Sequence, residues 1–121
     1  MYTVSVRRHF DAAHALRGYA GKCERRHGHR FEVVVSVQRC QLDSIGLALD
    51  YGIIKRELDS VLALLDHTDL NETPPFDEIN PSSEHIAAYI HDQMAARLGG
   101  PIDQVQVYES PDAWVTYTPD A

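Results

Sequence analysis

Cysteine is scarce in this sequence, with two residues, Cys23 and Cys40, among 121. Small cross-linked secreted domains need a denser set, so a disulfide scaffold is excluded and each thiol is judged alone. Long apolar runs are lacking as well. Charged side chains interrupt them every few residues, so no segment reads as a membrane-spanning helix. The opening Met1-Tyr2-Thr3-Val4-Ser5 has no basic stretch followed by an apolar one, so no secretion signal is read and a cytoplasmic location is expected. Basic charge is short too. Eleven Lys and Arg against eighteen Asp and Glu leave a formal net charge of −7. That argues against a general binder of nucleic acid or anionic membranes, which work through basic patches. A phosphorylated ligand has to be met by a few local arginines.

What is present suits one globular domain over residues 1–121, with 44% apolar and 24% charged residues, and a chain this short holds a single core. Residues 2–10 alternate, with Tyr2, Val4, Val6 and Phe10 on one side, and residues 29–40 repeat the pattern through Phe31, Val33, Val35 and Val37. Both predict strands. The stretch Asp11–Gly28 between them has little periodicity and is expected as a structured loop. Asp50 is a good N-cap for a helix whose Ile54, Leu58, Val61, Leu62 and Leu65 form one stripe. A second helix is predicted over Ser83–Leu98, stopped by Gly99-Gly100-Pro101. Asp66–Ser82, with three prolines, is expected as a loop of functional length. Strands over Gln104–Glu109 and Ala113–Thr118, turned by Ser110-Pro111-Asp112, close the chain. The expected fold is α+β in the order ββααββ, a four-stranded antiparallel sheet with two helices on one face.

Seven histidines are many for this length, and their spacing carries the chemistry. In His27-Gly28-His29 the two imidazoles lie on one face of an extended chain, with Cα atoms roughly 6.6 Å apart. Two such rings converge on one ion at Zn–N distances of about 2.0–2.1 Å. The pair also shares parity with Phe31 and Val33, which places it at the mouth of a buried face. By itself His-x-His reads equally as two polar residues at a strand entrance. His14, in Phe10-Asp11-Ala12-Ala13-His14 at the end of the neighbouring strand, supplies a third ligand. Three histidines without an obvious fourth describe an open, catalytic zinc site, since calcium and magnesium prefer oxygen.

Phe10-x-Ala12-Ala13-His14 followed by Cys23-Glu24-Arg25-Arg26-His27-Gly28-His29 resembles the signature of the 6-pyruvoyl-tetrahydropterin synthase family. Leu65-Asp66-His67-Thr68-Asp69-Leu70-Asn71, then Asn80-Pro81-Ser82-Ser83-Glu84 and Glu109, follow in family order, so the resemblance runs from about Phe10 to Glu109. The spacing of Cys23 ahead of His27 is most similar to the bacterial 6-carboxy-5,6,7,8-tetrahydropterin synthase branch. The resemblance implies the tunnelling fold, in which small sheets join edge to edge, a homo-oligomer (a homohexamer is expected), and a site between subunits. It implies a zinc-dependent lyase that converts 7,8-dihydroneopterin triphosphate to 6-carboxy-5,6,7,8-tetrahydropterin. Acetaldehyde and triphosphate are released, in a step towards 7-deazaguanine and queuosine.

Within that reading Cys23 is the base, its thiolate favoured by zinc and by Arg25 and Arg26; as a bare residue it reads equally as a small buried hydrophobe. His67 with Asp66 becomes a second proton-handling unit, against a plain reading as a histidine closing a helix. Glu109 becomes the anchor of the pterin ring, accepting two N–H bonds, and without the resemblance it is an exposed strand-end carboxylate. Ser82 stands where the family commonly has Thr, and either bonds the ring or caps the second helix. Arg7, Arg8, Arg25 and Arg26 suit phosphate but equally serve as a charged face, and Cys40, His9, His85 and His91 lie outside the motifs. Three other functions stay open: the pyruvoyl-forming synthase itself, a three-histidine zinc hydrolase with Glu24 as base, and a non-catalytic zinc- or pterin-binding protein.

Overall fold

The structure is a computed structural model that describes residues 1–19 and 25–120. Two long strands, β1 (Tyr2–His14) and β2 (His27–Arg39), pair antiparallel from Tyr2↔Arg39 to His14↔His27. Both run further into 11–28 than the alternation indicated. The pattern does continue through Ala12 and His14, buried to 7% and 1% exposure, but alanine is a weak hydrophobic signal and histidine is polar. Helix α1 (Tyr51–Ala63) starts where Asp50 Oδ1 accepts from the Gly52 amide at 2.8 Å. It buries Ile54, Leu58, Val61 and Leu62.

A short β3 (Thr68–Asp69) then pairs parallel to Ala12–Ala13 and leads into a 3-10 turn over Leu70–Glu72. Helix α2 (Ser83–Leu98) is capped by Ser82 and ends at Gly99, whose φ of 66° is the left-handed geometry a glycine accepts without strain. Strands β4 (Gln104–Ser110) and β5 (Ala113–Tyr117) complete the molecule. The sheet therefore has five strands in the order β3-β1-β2-β4-β5, and is mixed where four antiparallel strands were expected. The additional strand is two residues long, too short for any period to reveal.

The core lies between one sheet face and the two helices. Phe10, Phe31, Val33, Val35, Val105 and Val107 meet Ile54, Leu58, Ile86, Ile90 and Met94 there, all fully or almost fully buried. Phe10 and Phe31 stack at a centroid distance of 5.0 Å across β1 and β2. That pair forms the floor beneath the end of the hairpin where the histidines sit. No helix among the described residues is long and apolar enough to cross a membrane.

Candidate metal centre

Register brings the three histidines together. His14 lies opposite His27 on the last rung of the β1–β2 ladder, and His29 is two residues along β2 on the same face. Their ring centroids form a triangle with sides of 4.7, 5.3 and 4.5 Å. Phe31 supports it, with its ring edge-on to His14 at 5.2 Å and to His29 at 5.6 Å.

The main chain holds two of the rings in one tautomer. His14 Nδ1 is 2.7 Å from the Pro81 carbonyl and His27 Nδ1 is 2.6 Å from the Arg25 carbonyl. A carbonyl only accepts, so each Nδ1 carries the proton and, in the neutral ring, each Nε2 keeps a lone pair. Histidines that ligate metals are commonly fixed in this way. His29 Nε2 is buried without a hydrogen-bond partner. Its pKa is lowered, first by burial and then by His27 and His14, with Glu109 pulling the other way. A neutral ring is the form that binds metal.

Glu109 joins the group from β4. Tyr108 pairs with Trp114 and Ser110 with Ala113, so Glu109 is the extra residue of a β-bulge, a feature that re-aims side chains beside functional sites. The β2–β4 pairing also ends at Tyr108. Glu109 Oε1 reaches to 3.1 Å of His14 Nε2, 3.1 Å of His29 Nε2 and 3.9 Å of His27 Nε2. The His14 contact has hydrogen-bond geometry; with acceptors facing both nitrogens of that ring, either the ring carries two protons or positive charge sits between its Nε2 and the carboxylate. His14, His27, His29 and Glu109 together can hold a metal ion, and nitrogen donors with one carboxylate oxygen suit a zinc-like ion.

A cleft of about 160 Å³ opens beside this group, lined by His14 and Glu109, by Ser82, Ser83 and Glu84 at the start of α2, and by Trp114 of β5. Ser82 Oγ accepts from the His85 amide at 3.2 Å, so it serves as the cap while lining the cleft. Ser83 Oγ is buried and has no partner. Neither Ser83 nor Glu84 was singled out in the sequence. Both lie in the quoted Asn80–Glu84 motif, and an acidic residue in a helix's first turn was the available signal.

The same motifs contain two asparagines that position the site. Asn71 accepts from the Ala15 amide at 2.8 Å and donates to its carbonyl at 2.9 Å. Asn80 does the same to Arg17, at 2.9 Å in both directions. Each side chain imitates a strand partner, and together they fix the chain where it leaves His14.

His67 and Asp66 lie elsewhere. His67 Nδ1 is 2.9 Å from Asp66 Oδ2, a direct contact that adjacency in sequence does not ensure. The backbone at His67 is left-handed, φ 56°. Asp66 Oδ1 accepts from the Asp11 amide at 2.9 Å, and the His67 amide donates to the Asp11 carbonyl at 2.6 Å. The Asp66 pKa is lowered, first by that Asp11 amide and then by His67. His67 is 79% exposed and groups with Asp66 and Asp11, apart from the three-histidine cluster.

Cys23 and Glu24 lie outside the described residues. Arg26 is paired to Asp69 at 2.6 Å. Cys40 is exposed just beyond β2, while His91 is buried against the Ile102 carbonyl and His85 contacts the Asn80 carbonyl.

Comparison with known proteins bears on the same region. Residues 3–120 match the sequence profile described as 6-pyruvoyl tetrahydropterin synthase. A 6-carboxy-5,6,7,8-tetrahydropterin synthase of Synechocystis sp. is 34% identical over 106 residues, covering 84% of this chain and 81% of the relative. The protein of that name from Bacillus subtilis is 32% identical over 121 residues, covering 92% and 81%. Among solved structures, the 6-pyruvoyl tetrahydropterin synthase of Caenorhabditis elegans superposes with a TM-score of 0.85 at 27% identity, over 99% of this chain and 98% of the other.

Proposed function

Given that the chain belongs to the 6-pyruvoyl tetrahydropterin synthase family, we propose that it is a zinc-dependent carbon–carbon lyase. Its substrates are 7,8-dihydroneopterin triphosphate and one water, and its products are 6-carboxy-5,6,7,8-tetrahydropterin, acetaldehyde and triphosphate. The observation that carries this reading is the convergence of His14, His27 and His29, two of them held as Nδ1–H tautomers by backbone carbonyls, at the edge of a cleft. Zinc bound there supplies Lewis acidity to oxygen donors on the substrate side chain as protons leave their carbons.

The residues divide the remaining work. Cys23 takes a proton from the side-chain carbon, and Arg25 on the same segment favours its thiolate. His67 handles a second proton, with Asp66 holding its Nδ1 and steadying its cation. The ring's N–H edge is met by a carboxylate facing the cleft. Glu109 is one, and Glu84, beside the unpartnered Ser83 hydroxyl, is the other. Glu84→Gln and Glu109→Gln identify the anchor, because loss of a bidentate acceptor weakens neopterin binding where loss of a bystander does not.

His67 stands just before β3, the edge strand of the sheet, and the far edge of β5 is open as well. Open edges are commonly paired or covered. We therefore place His67 and Asp66 opposite the histidine cluster of a neighbouring copy, in a homohexamer.

The test is product analysis with zinc-loaded protein and dihydroneopterin triphosphate. Acetaldehyde is expected, and Cys23→Ala should retain zinc while losing about 10²–10⁴-fold in turnover. A 6-pyruvoyl product without acetaldehyde would move the chain to the pyruvoyl-forming branch. Undiminished turnover in Cys23→Ala would overturn the assigned base.

A further inference from the structure

We infer that Glu109 is a fourth, displaceable ligand of the metal, closing the site in the substrate-free chain and leaving the ion when substrate oxygens arrive. The inference rests on the metal reading above and adds a role for one residue. Donors about 2.0–2.1 Å from a tetrahedral ion lie roughly 3.3–3.4 Å from one another. Glu109 Oε1 stands 3.1, 3.1 and 3.9 Å from the three Nε2 atoms, close to that spacing. The contact to His29 is not a hydrogen bond, since Nε2 there has no partner despite the 3.1 Å separation. His14 Nε2 does have hydrogen-bond geometry to Oε1, but its Nδ1 also faces an acceptor, the Pro81 carbonyl; acceptors on both sides of one ring, with a buried nitrogen left over on another, are the expected arrangement around a cation. Three neutral imidazoles and one carboxylate carry a single negative charge, which a dication offsets.

Two features make this ligand labile. Glu109 is the bulged residue of β4, outside the ladder pairs on both sides, so its backbone can shift without displacing a paired residue. It is also 34% exposed and lines the cleft, so an incoming ligand reaches it directly. A closed resting site offers no activated water. Leaving the metal also frees both Glu109 oxygens for the N–H edge of an arriving ring.

Cobalt(II)-loaded full-length chain tests the inference without turnover. With four ligands that do not ionise, its visible spectrum should stay constant between about pH 6 and 9. In Glu109→Ala a water takes the fourth position and ionises near about pH 7, so the spectrum should change with pH. Neopterin, an unreactive probe with vicinal hydroxyls, should shift the wild-type spectrum. Should the alanine variant not fold, Glu109→Gln should lose cobalt to a chelator at least about tenfold faster than wild type. Wild-type and Glu109→Ala spectra with the same pH dependence would overturn the inference while leaving the three-histidine centre intact. A thiolate charge-transfer band lost in Cys23→Ala would overturn it in favour of sulfur. Failure of the wild type to take up cobalt would remove the metal centre itself.

Discussion

The three imidazoles differ in how much of the fold depends on them. His14 is almost wholly buried, whereas His27 and His29 are 29% and 28% exposed. Each alanine variant should lose bound zinc on metal analysis. His14→Ala should also lower stability in denaturant titration by about 1–3 kcal/mol, because it strands the buried Pro81 carbonyl, while His29→Ala should unfold close to wild type. Asp66 gives a pH-dependent prediction. Its pKa is depressed below the ordinary 3.8, so it favours the folded state fully above that value. The contribution fades as pH falls through the depressed pKa. Asp66→Asn should therefore narrow the stability gap between neutral and acid pH, read as a smaller loss of Tm on acidification. Glu109 shows what a sequence hides at this scale. It reads as a strand-end carboxylate, because one unpaired position in a ladder leaves no compositional trace.

Among the elements, the helices were the most legible. Asp50 and Ser82 accept amide hydrogen bonds from the first turns, and Gly99 is left-handed at the end of α2. Each is local chemistry that a sequence states directly. The end of β1 was less so, since Ala12 is only weakly apolar and His14 is polar although both are buried. β3 was invisible, being defined by its partner Ala12–Ala13. Phe31 joins core and site, stacked on Phe10 and edge-on to two histidines. Phe31→Ala should cost about 3–5 kcal/mol, and Phe31→Leu less. If the aromatic floor sets the histidine triangle, even a folded Phe31→Leu protein should bind zinc more weakly in chelator competition. Unchanged affinity would confine Phe31 to packing.

At the scale of the molecule, the histidine cluster and the Asp66–His67 pair occupy separate places on one chain. A site built between copies makes a complementation prediction. His27→Ala and His67→Ala chains, each inactive alone, should regain turnover when unfolded and refolded together, because some interfaces then combine an intact cluster with an intact His67. No recovery would place both parts of the machinery within one chain. The sequence motifs name both parts, but spacing along a chain carries no information on which copy supplies each.

The two acceptors that orient His14 and His27 belong to the backbone at Pro81 and Arg25. Replacing either of those side chains leaves its oxygen in place, so alanine variants at Pro81 and Arg25 should keep their bound metal even though the orientation of both rings depends on those positions. Robustness to point substitution is thus written into the peptide bonds, and only moving the chain itself would expose it.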